Sequence, residues 1–275
     1  MPVLSLDDAG DSRIADYRGI PDPELARSRG VFVAEGRLVV QRLLSSRFTT
    51  RSLMVTRPTL EALAPELDAH PGLRVFVVPQ AVMNTVAGFN IHRGCLALGE
   101  RPAPLPWDEL VGRGGSLDPP GVLVALERVG NVDNVGATFR AAAAFGACGV
   151  LLDQSCADPL YRKAIRTSMG AALQVPFATD VVLLDALAGL QHDGWAVVGM
   201  TPSAGASPAR EVFAAVRGTR VAIVLGHEGD GLTAPVTHAC THLARIPMQS
   251  DVDSLNVAMA AGIALYECRQ SKALR

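Results

Sequence analysis

Lysine is almost missing from this chain of 275 residues: Lys163 and Lys272 are the only lysines among its 25 basic side chains, and the others are arginines. Cysteine is sparse too, with five residues, an odd number, and no CxxC pair. They stand at positions 95, 148, 156, 240 and 268. This usage argues against a disulfide framework and a zinc ribbon, and it predicts a reducing, cytoplasmic location with no metal centre.

Long apolar runs and targeting segments are missing as well. No stretch approaches the ~18 uninterrupted apolar residues that a membrane-spanning helix needs. The N-terminal sequence MPVLSLDDAGDSR is acidic and lacks the charged-then-apolar pattern of a secretory signal, so no membrane partner is expected. With 49% hydrophobic residues and a net charge of -2, the composition is that of a folded protein with one large domain or two ordinary ones.

The arginines are unevenly distributed. Between Arg13 and Arg57 there are nine arginines and four acidic residues, a local charge of +5 in a protein of net charge -2. An arginine guanidinium binds phosphate through a planar fork, so such a segment suits a polyanionic partner. The alternative is a solvated surface in a protein of arginine-rich composition, and charge alone does not choose between the two.

Proline and glycine dominate residues 101–120, where the apolar periodicity lapses, and we predict a linker there. Residues 1–100 alternate short β-rich runs with helical segments, which predicts a small α/β domain. Residues 121–275 alternate more cleanly and predict a mostly parallel sheet covered on both faces. The strands predicted in this second domain are Val122–Leu126, Gly149–Leu152, Trp195–Met200, Val221–Leu225 and Leu243–Ile246, and the helices are Gly136–Phe145, Pro159–Met169, Leu183–Leu190 and Leu255–Gln270.

Three polar clusters follow predicted strand ends, where ligands collect in parallel sheets. In the first, Asn134 and Gly136 stand at the start of an alanine-rich helix, and Arg140 follows one turn later. An arginine in such apolar surroundings is unusual because an unpaired buried charge is costly. Two interpretations stay open here: a functional pair, or an ordinary N-cap at Asn134 with Arg140 facing solvent.

The second cluster, Ile223–Leu232, is a strong strand that runs into three glycines with Glu228 and Asp230 among them. Glycines let a backbone approach a ligand closely, although a plain glycine turn is the alternative. The pattern is neither GxGxxG before a long helix nor GxxxxGK[ST], which disfavours a dinucleotide or P-loop site. We expect a buried Glu228 that accepts hydrogen bonds from backbone N–H groups and holds the shape of the loop.

In the third cluster, Arg245–Glu267, a strand is followed by a polar loop, and Ser254 and Asn256 open a helix of small residues. Free N–H groups at that helix start suit an anion or a carboxylate, and Ser254 as a simple N-cap is the alternative. The alternating THACTH stretch at residues 237–242 lacks a fourth ligand, so a metal site there is disfavoured.

Taken together, in this order and spacing, the clusters resemble the SpoU (TrmH-like) branch of the SPOUT RNA methyltransferases. The motifs that carry the resemblance are NxxNxGxxxRxA, VLGxExxGL, and IPM followed by SLNVxxAxGI. The resemblance covers roughly residues 121–269, and residues 162–170 are similar to the family's segment between the first two motifs. Ala141, where threonine is common, and Gln249 and Ser250, where glycine is common, depart from the pattern.

The resemblance implies an α/β fold whose C-terminal parallel sheet carries a deep trefoil knot, S-adenosylmethionine as cofactor, and methyl transfer to a ribose 2′-hydroxyl of RNA by a homodimer. Because a guanidinium stays protonated, we favour a positioning role for Arg140, with transient proton acceptance as the alternative. The implied cofactor contacts are Leu225, Gly226, Ile246, Met248 and Leu255. The implied catalytic residues are Arg140, Asn134, Glu228, Ser254 and Asn256.

The first half is similar to the ribosomal-protein-like RNA-binding module that many family members carry, on the basis of FVAEG at residues 32–36 and the order of elements. Ribosomal RNA is therefore the favoured substrate and transfer RNA the alternative. A non-catalytic RNA-binding or ribosome-assembly protein is a hypothesis of a different class, which the complete set of motif residues disfavours. A nucleotide-binding oxidoreductase is disfavoured by the missing GxGxxG.

Overall fold

A computed structural model describes residues 1–19, 21–88, 94–112, 121–249 and 254–273, with side chains to residue 271. The chain forms two compact units. The first comprises Met1–Ala103 and Leu160–Gln174, and the second comprises Pro104–Pro159 and Val175–Arg275. Residues 113–120 of the predicted linker lie outside the described residues. Within the described part of the chain, no helix has the length and apolar character needed to cross a membrane.

The first unit is built on a five-stranded mixed sheet. Its strands are β1 (Val3–Ser5), β2 (Val31–Glu35), β3 (Thr50–Val55), β4 (Arg74–Val77) and β5 (Cys95–Glu100), and its helices include α1 (Asp22–Arg29), α2 (Arg37–Leu44), α3 (Arg57–Ala62), α4 (Ala64–Leu67) and α5 (Gln80–Ala87). The strand order is β1-β4-β3-β5-β2, and β5 runs antiparallel to both β2 and β3. Consequently β2 and β3 end at the same edge of the sheet.

The second unit continues the chain with alternating strands and helices. Its strands are β6 (Val122–Leu126), β7 (Gly149–Asp153), β8 (Phe177–Val181), β9 (Ala196–Met200), β10 (Ser207–Pro208), β11 (Val221–Leu225) and β12 (His242–Arg245). The helices after α5 are α6 (Trp107–Gly112), α7 (Val132–Ala144), α8 (Arg162–Thr167), α9 (Leu183–His192), α10 (Ala209–Ala215), α11 (Ala234–His238) and α12 (Val257–Ala273), of which α8 belongs to the first unit.

The strands of the second unit form one sheet in the order β10-β12-β9-β11-β6-β7-β8, and every described pairing in it is parallel. This confirms the predicted α/β fold with a parallel sheet. The central strands β6 and β11 are buried along their whole length because helices cover both faces. The carboxyl ends of β12, β9, β11 and β6 are neighbours, so the loops that follow them share one edge of the sheet. The trefoil knot stays a prediction.

After β7 the chain passes into the first unit for residues 160–174, and it returns to the second unit before β8. The guanidinium Nε of Arg162 lies 3.2 Å from Asp22 Oδ1, and Arg42 Nη1 donates to the carbonyl oxygen of Met169 at 2.7 Å. Ile165 is buried in the same region. The sequence-based division into residues 1–100, 101–120 and 121–275 does not anticipate this exchange, because local periodicity shows that a helix is amphipathic but not which core it covers.

Several short elements also lack a sequence signal. Strand β10 has two residues, and β8 carries Asp180 with a φ of +58°, which interrupts the apolar pattern of a strand. Helix α6 lies in the proline-rich stretch that the sequence predicts as a linker, yet Leu110 is fully buried in the core of the second unit. A Cβ on Gly149 would lie 2.5 Å from Leu110, so a glycine is needed where α6 packs on β7.

Candidate functional site

The loops after three neighbouring strands, β9, β11 and β12, surround one cavity of about 340 Å³ in the second unit. That volume falls within the range of small-molecule sites. The five predicted cofactor contacts and two of the predicted catalytic residues lie on its wall, which comprises Met200, Thr201, Pro202, Ser203, Leu225, Gly226, His227, Glu228, Gly229, Asp230, Gly231, Leu232, Thr237, Ile246, Met248, Ser254, Leu255, Val257 and Ala260. The polar clusters that the sequence analysis located after strand ends therefore lead to a concave site in the structure.

The glycine loop, which we define as residues 226–231, forms one side of the cavity. A Cβ on Gly226 would lie 2.3 Å from the backbone carbon of Gly231, so only glycine allows the two backbone segments to approach this closely. Gly231 has a φ of +69° and donates its N–H to the carbonyl oxygen of His227 at 3.0 Å. The loop is therefore a closed, tightly packed turn rather than an open glycine linker.

Three predicted catalytic residues form a continuous chain of side-chain hydrogen bonds. Asn256 Nδ2 donates to Asn134 Oδ1 at 2.8 Å, and Asn134 Nδ2 donates to Glu228 Oε1 at 2.8 Å. Asn134 is 9% exposed, whereas Asn256 and Glu228 are exposed. The chain connects the first, second and third motifs, and it holds the Glu228 carboxylate at the cavity wall. Glu228 thus accepts from a side chain, and not from the backbone N–H groups that the sequence analysis expected, and its role in shaping the loop stays a prediction.

The helix caps differ from the simpler interpretations of the sequence. Helix α7 begins earlier than predicted, and Asn131, not Asn134, caps it by accepting from the N–H of Asp133 at 2.9 Å. At α12 the capping side chain is Asn256, whose Oδ1 accepts from the N–H of Ala258 at 3.0 Å. Asn134 and Ser254 are thus free of N-cap roles within the described residues, and Ser254 lines the cavity.

Arg140 is not gathered with the other predicted catalytic residues. It lies on α7 with an exposed side chain, and it is absent from the described cavity wall. Among the described residues the structure gives Arg140 no hydrogen bond and no ion pair. The sequence-based alternative of a solvent-facing arginine therefore describes this single chain correctly.

The cavity wall is acidic. Its ionisable side chains are Glu228, Asp230 and His227, and neither lysine nor arginine occurs among its described residues. Arg128 lies behind the wall, where its Nη1 approaches Asp230 Oδ2 at 3.6 Å. Arg128 has a φ of +55°, an unusual backbone conformation for a non-glycine residue, and Asp153 Oδ2 accepts its N–H at 2.9 Å. An acidic wall favours a cationic ligand over a polyphosphate.

Two parts of the site were not predicted from the sequence. Residues Thr201, Pro202 and Ser203 follow β9 and line the cavity, although only the strand itself was predicted. The rule that ligands gather at strand ends applies equally to this loop and would have found it. The second is the buried carboxylate of Glu127, which accepts from the N–H of Thr233 at 2.8 Å and from its hydroxyl at 2.6 Å. This pair fixes the chain where the glycine loop leads into α11.

The THACTH side chains have separate local partners. His238 Nδ1 contacts the carbonyl oxygen of Ala234 at 2.6 Å, and the Cys240 thiol donates to the carbonyl oxygen of Val236 at 3.2 Å. Burial, together with the negative charge of Glu127, raises the pKa of the Cys240 thiol to about 12. Across the described ranges no group of three or more potential metal ligands converges.

Known proteins match both the sequence and this geometry. The sequence profile of the SpoU rRNA methylase family matches residues 121–266. The chain belongs to the SpoU rRNA methylase family. An uncharacterised tRNA/rRNA methyltransferase of Mycobacterium tuberculosis is 38% identical over 98% of this chain and 93% of its own length.

Solved structures of the family extend the match to the whole chain. A crystal structure of an AdoMet-bound rRNA methyltransferase from Sinorhizobium meliloti has a TM-score of 0.83 and 27% identity, and covers 98% of both chains. An RNA 2′-O ribose methyltransferase has a TM-score of 0.77 and 25% identity, covering 99% of this chain and 100% of its own. The SpoU methyltransferase AviRb from Streptomyces viridochromogenes, at 21% identity and a TM-score of 0.78, shares the fold.

Proposed function

We propose that this chain is an S-adenosylmethionine-dependent RNA methyltransferase that modifies a ribose 2′-hydroxyl, with ribosomal RNA as its substrate. The observation that carries the proposal is that the second and third family motifs line one cavity, and that Asn134 of the first motif is hydrogen-bonded to Glu228 on its wall. Two relatives support it: one of the solved relatives binds AdoMet and is an rRNA methyltransferase, and another is an RNA 2′-O ribose methyltransferase. A cytoplasmic location is part of the proposal.

The cavity fits the cofactor by charge as well as by volume. S-adenosylmethionine carries a sulfonium and an ammonium group, and the described wall contains the carboxylates of Glu228 and Asp230 but no lysine or arginine, although Arg128 pairs with Asp230 from outside the wall. When bound, the cofactor supplies a methyl group on a positively charged sulfur. Leu225, Gly226, Ile246, Met248 and Leu255 would hold it. The same acidic wall disfavours NAD, whose pyrophosphate is anionic.

Different residues of the chain would position the loops, the cofactor and the target nucleotide. The hydrogen bonds among Asn134, Asn256 and Glu228 fix the loops around the cofactor before RNA binds. Ser254, exposed on the wall, is placed to bind the target nucleotide or the cofactor carboxylate. Arg140 would hold the target phosphate and ribose so that the hydroxyl faces the methyl group. Positioning is favoured because a guanidinium is a poor proton acceptor at neutral pH.

A homodimer would explain the position of Arg140. In a C2 dimer an exposed group of one protomer can complete the cavity of the other. The small-residue face of α12 does not itself support this, because Ala261 and Ala264 are buried within the chain and Gly262 lies beside Ala141 of α7. The support comes from large apolar side chains that the chain leaves exposed on α12, namely Met259 at 56% and Tyr266 at 48%.

The first unit would bind the RNA. Several arginines of the basic segment are engaged within the chain, for example Arg13 with Asp11 at 2.6 Å and Arg42 with Met169. Arg37 and Arg57 are exposed and have no hydrogen bond or ion pair among the described residues. They begin α2 and α3, directly beyond β2 and β3, so they lie at the same edge of the sheet. This edge therefore offers free guanidinium groups to RNA phosphates.

The proposal is tested by incubating the full chain with methyl-labelled S-adenosylmethionine and either ribosomal RNA or transfer RNA. Ribosomal RNA should acquire label, and the labelled position should resist alkaline cleavage because a 2′-O-methyl ribose cannot form the cyclic phosphate. Label in transfer RNA alone would favour the alternative substrate. Cofactor binding without labelling of either RNA would favour a non-catalytic RNA-binding protein.

A further inference from the structure

His227 occupies a position in the glycine loop that no motif assigns to a role. Its ring nitrogen Nδ1 accepts the N–H of Gly229 at 3.0 Å and the N–H of Asp230 at 3.2 Å. Those two N–H groups would otherwise be free donors in a tight loop. The side chain of His227 therefore closes the loop from within, in the manner in which Asx side chains close turns.

These hydrogen bonds assign the tautomer of the neutral ring. A nitrogen that accepts N–H groups carries no proton, so the neutral ring of His227 has its proton on Nε2. Adding a proton to Nδ1 would turn an acceptor into a donor that faces two other donors. The described shape of the glycine loop therefore needs an Nδ1 atom that carries no proton.

The charged groups around the ring offer the protonated form another partner. Asp230 Oδ2 lies 3.8 Å from His227 Nδ1, and Arg128 approaches the same carboxylate at 3.6 Å. Glu228 is turned to Asn134 by its hydrogen bond. The described residues of the wall contain no other ionisable group. A protonated His227 would compete with Arg128 for Asp230 and would release the N–H groups of Gly229 and Asp230.

We propose that neutral His227 is a positioning residue that holds the glycine loop in its cofactor-binding shape, and that protonation of Nδ1 opens the loop and weakens binding of S-adenosylmethionine. The inference rests on the proposed cofactor. It does not require His227 to touch the reacting atoms.

The test measures S-adenosylmethionine binding to the full chain by calorimetry, at about pH 7.5 and about pH 5.5. Wild-type affinity should be lower at the lower pH, with a loss that His227→Asn does not show. The variant His227→Asn keeps a side-chain acceptor for the same N–H groups but does not titrate, so it should bind as wild type does at the higher pH and lose the pH dependence. His227→Ala should bind about tenfold more weakly at both pH values.

The control is His192→Asn, at an exposed position at the end of α9, which should keep the wild-type profile. It tests whether loss of an unrelated exposed histidine changes the profile, whereas the comparison of wild type with His227→Asn subtracts the cofactor's own titration. A His227→Asn variant that binds as weakly as His227→Ala would overturn the role of the acceptor, and a wild-type profile no steeper than that of His227→Asn would overturn the protonation step. Absence of wild-type binding at the higher pH would instead contradict the proposed function.

Discussion

Asn134 and Glu228 stand 94 positions apart in the sequence, yet their side chains share a hydrogen bond of 2.8 Å. Its polarity is fixed, because a carboxylate can only accept and Asn134 must present its amide nitrogen. The orientation is reinforced by Asn256, which donates to the amide oxygen of Asn134. In this chain, one residue of the first motif and one residue of the second motif thus form a donor–acceptor pair.

Exchanging the donor and the acceptor of this hydrogen bond gives a testable prediction. Asn134→Asp places a second carboxylate against Glu228 and should weaken S-adenosylmethionine binding by roughly tenfold or more, because the donor is lost and like charges repel. Glu228→Gln should bind nearly as wild type does, since its amide oxygen still accepts. The double variant restores a donor opposite an acceptor and should recover most of the affinity in calorimetry. A double variant as weak as Asn134→Asp alone would show that the hydrogen bond is not what matters.

The location of the site was predictable because it depends on a regular property of parallel sheets. Strands β6 and β11 have the bounds that their apolar runs predict, and the polar residues after them meet at one edge. The partners of Asn134 were not predictable. A sequence shows that Asn134 and Glu228 follow strands, but their separation depends on the order β11-β6 in the sheet, which strand periodicity does not encode.

The cysteines provide a prediction about alkaline pH. Burial raises the pKa of the Cys95 thiol, and likewise that of Cys240, to about 12. Both should remain protonated thiols at about pH 8 and react slowly with an alkylating reagent, whereas mass spectrometry should find all five cysteines modified after unfolding.

The raised pKa values of Cys95 and Cys240 also predict how the stability of the folded chain changes with pH. A thiol whose pKa is raised on folding stabilises the native state fully below the ordinary value of 9.0, and this contribution is lost as the pH rises towards about 12. The urea midpoint should therefore decrease in that interval. The double variant Cys95→Ala and Cys240→Ala should show a smaller decrease, and an equal decrease would contradict the assignment.

RNA affinity should depend on the free arginines of the first unit and not on the paired ones. Replacing Arg37 or Arg57 by alanine should weaken RNA binding and reduce the slope of log affinity against log salt by about 0.9 each, as expected when one phosphate contact is lost. Arg13→Ala is the matched control, because Asp11 already engages that guanidinium. Equal losses from all three variants would indicate a diffuse charge effect.

These measurements need the whole chain. Residues 160–174 pack in the first unit, where Asp22 binds Arg162, so a fragment that begins near Gly121 would leave the buried side chain of Ile165 uncovered. The position of this segment is the part of the fold that sequence reasoning could least predict. Its apolar residues are clear in the sequence, but the core they join belongs to a segment more than 100 residues earlier.

Arg140 provides the most direct test of the chemistry. Because its side chain is exposed and away from the cavity wall, neither Arg140→Ala nor Arg140→Lys should change S-adenosylmethionine affinity or the unfolding midpoint. Both should lower the methylation rate roughly 10²-fold, since lysine keeps the charge but lacks the planar fork. Arg217→Ala, at an exposed position outside the motifs, is the control. Near-normal turnover by the lysine variant, increasing with pH, would instead favour a proton-accepting role.

If Arg140 acts on the partner's cavity, two inactive variants should complement each other. Gly226→Ala should prevent the glycine loop from closing, because the added Cβ would meet the backbone of Gly231. This variant still carries an intact Arg140. Arg140→Ala keeps an intact cavity. In a mixed dimer one site then combines the sound cavity of one protomer with the arginine of the other, so co-refolding equal amounts should restore about a quarter of wild-type activity. A site built within a single chain predicts no recovery, because each protomer would then carry its own defect.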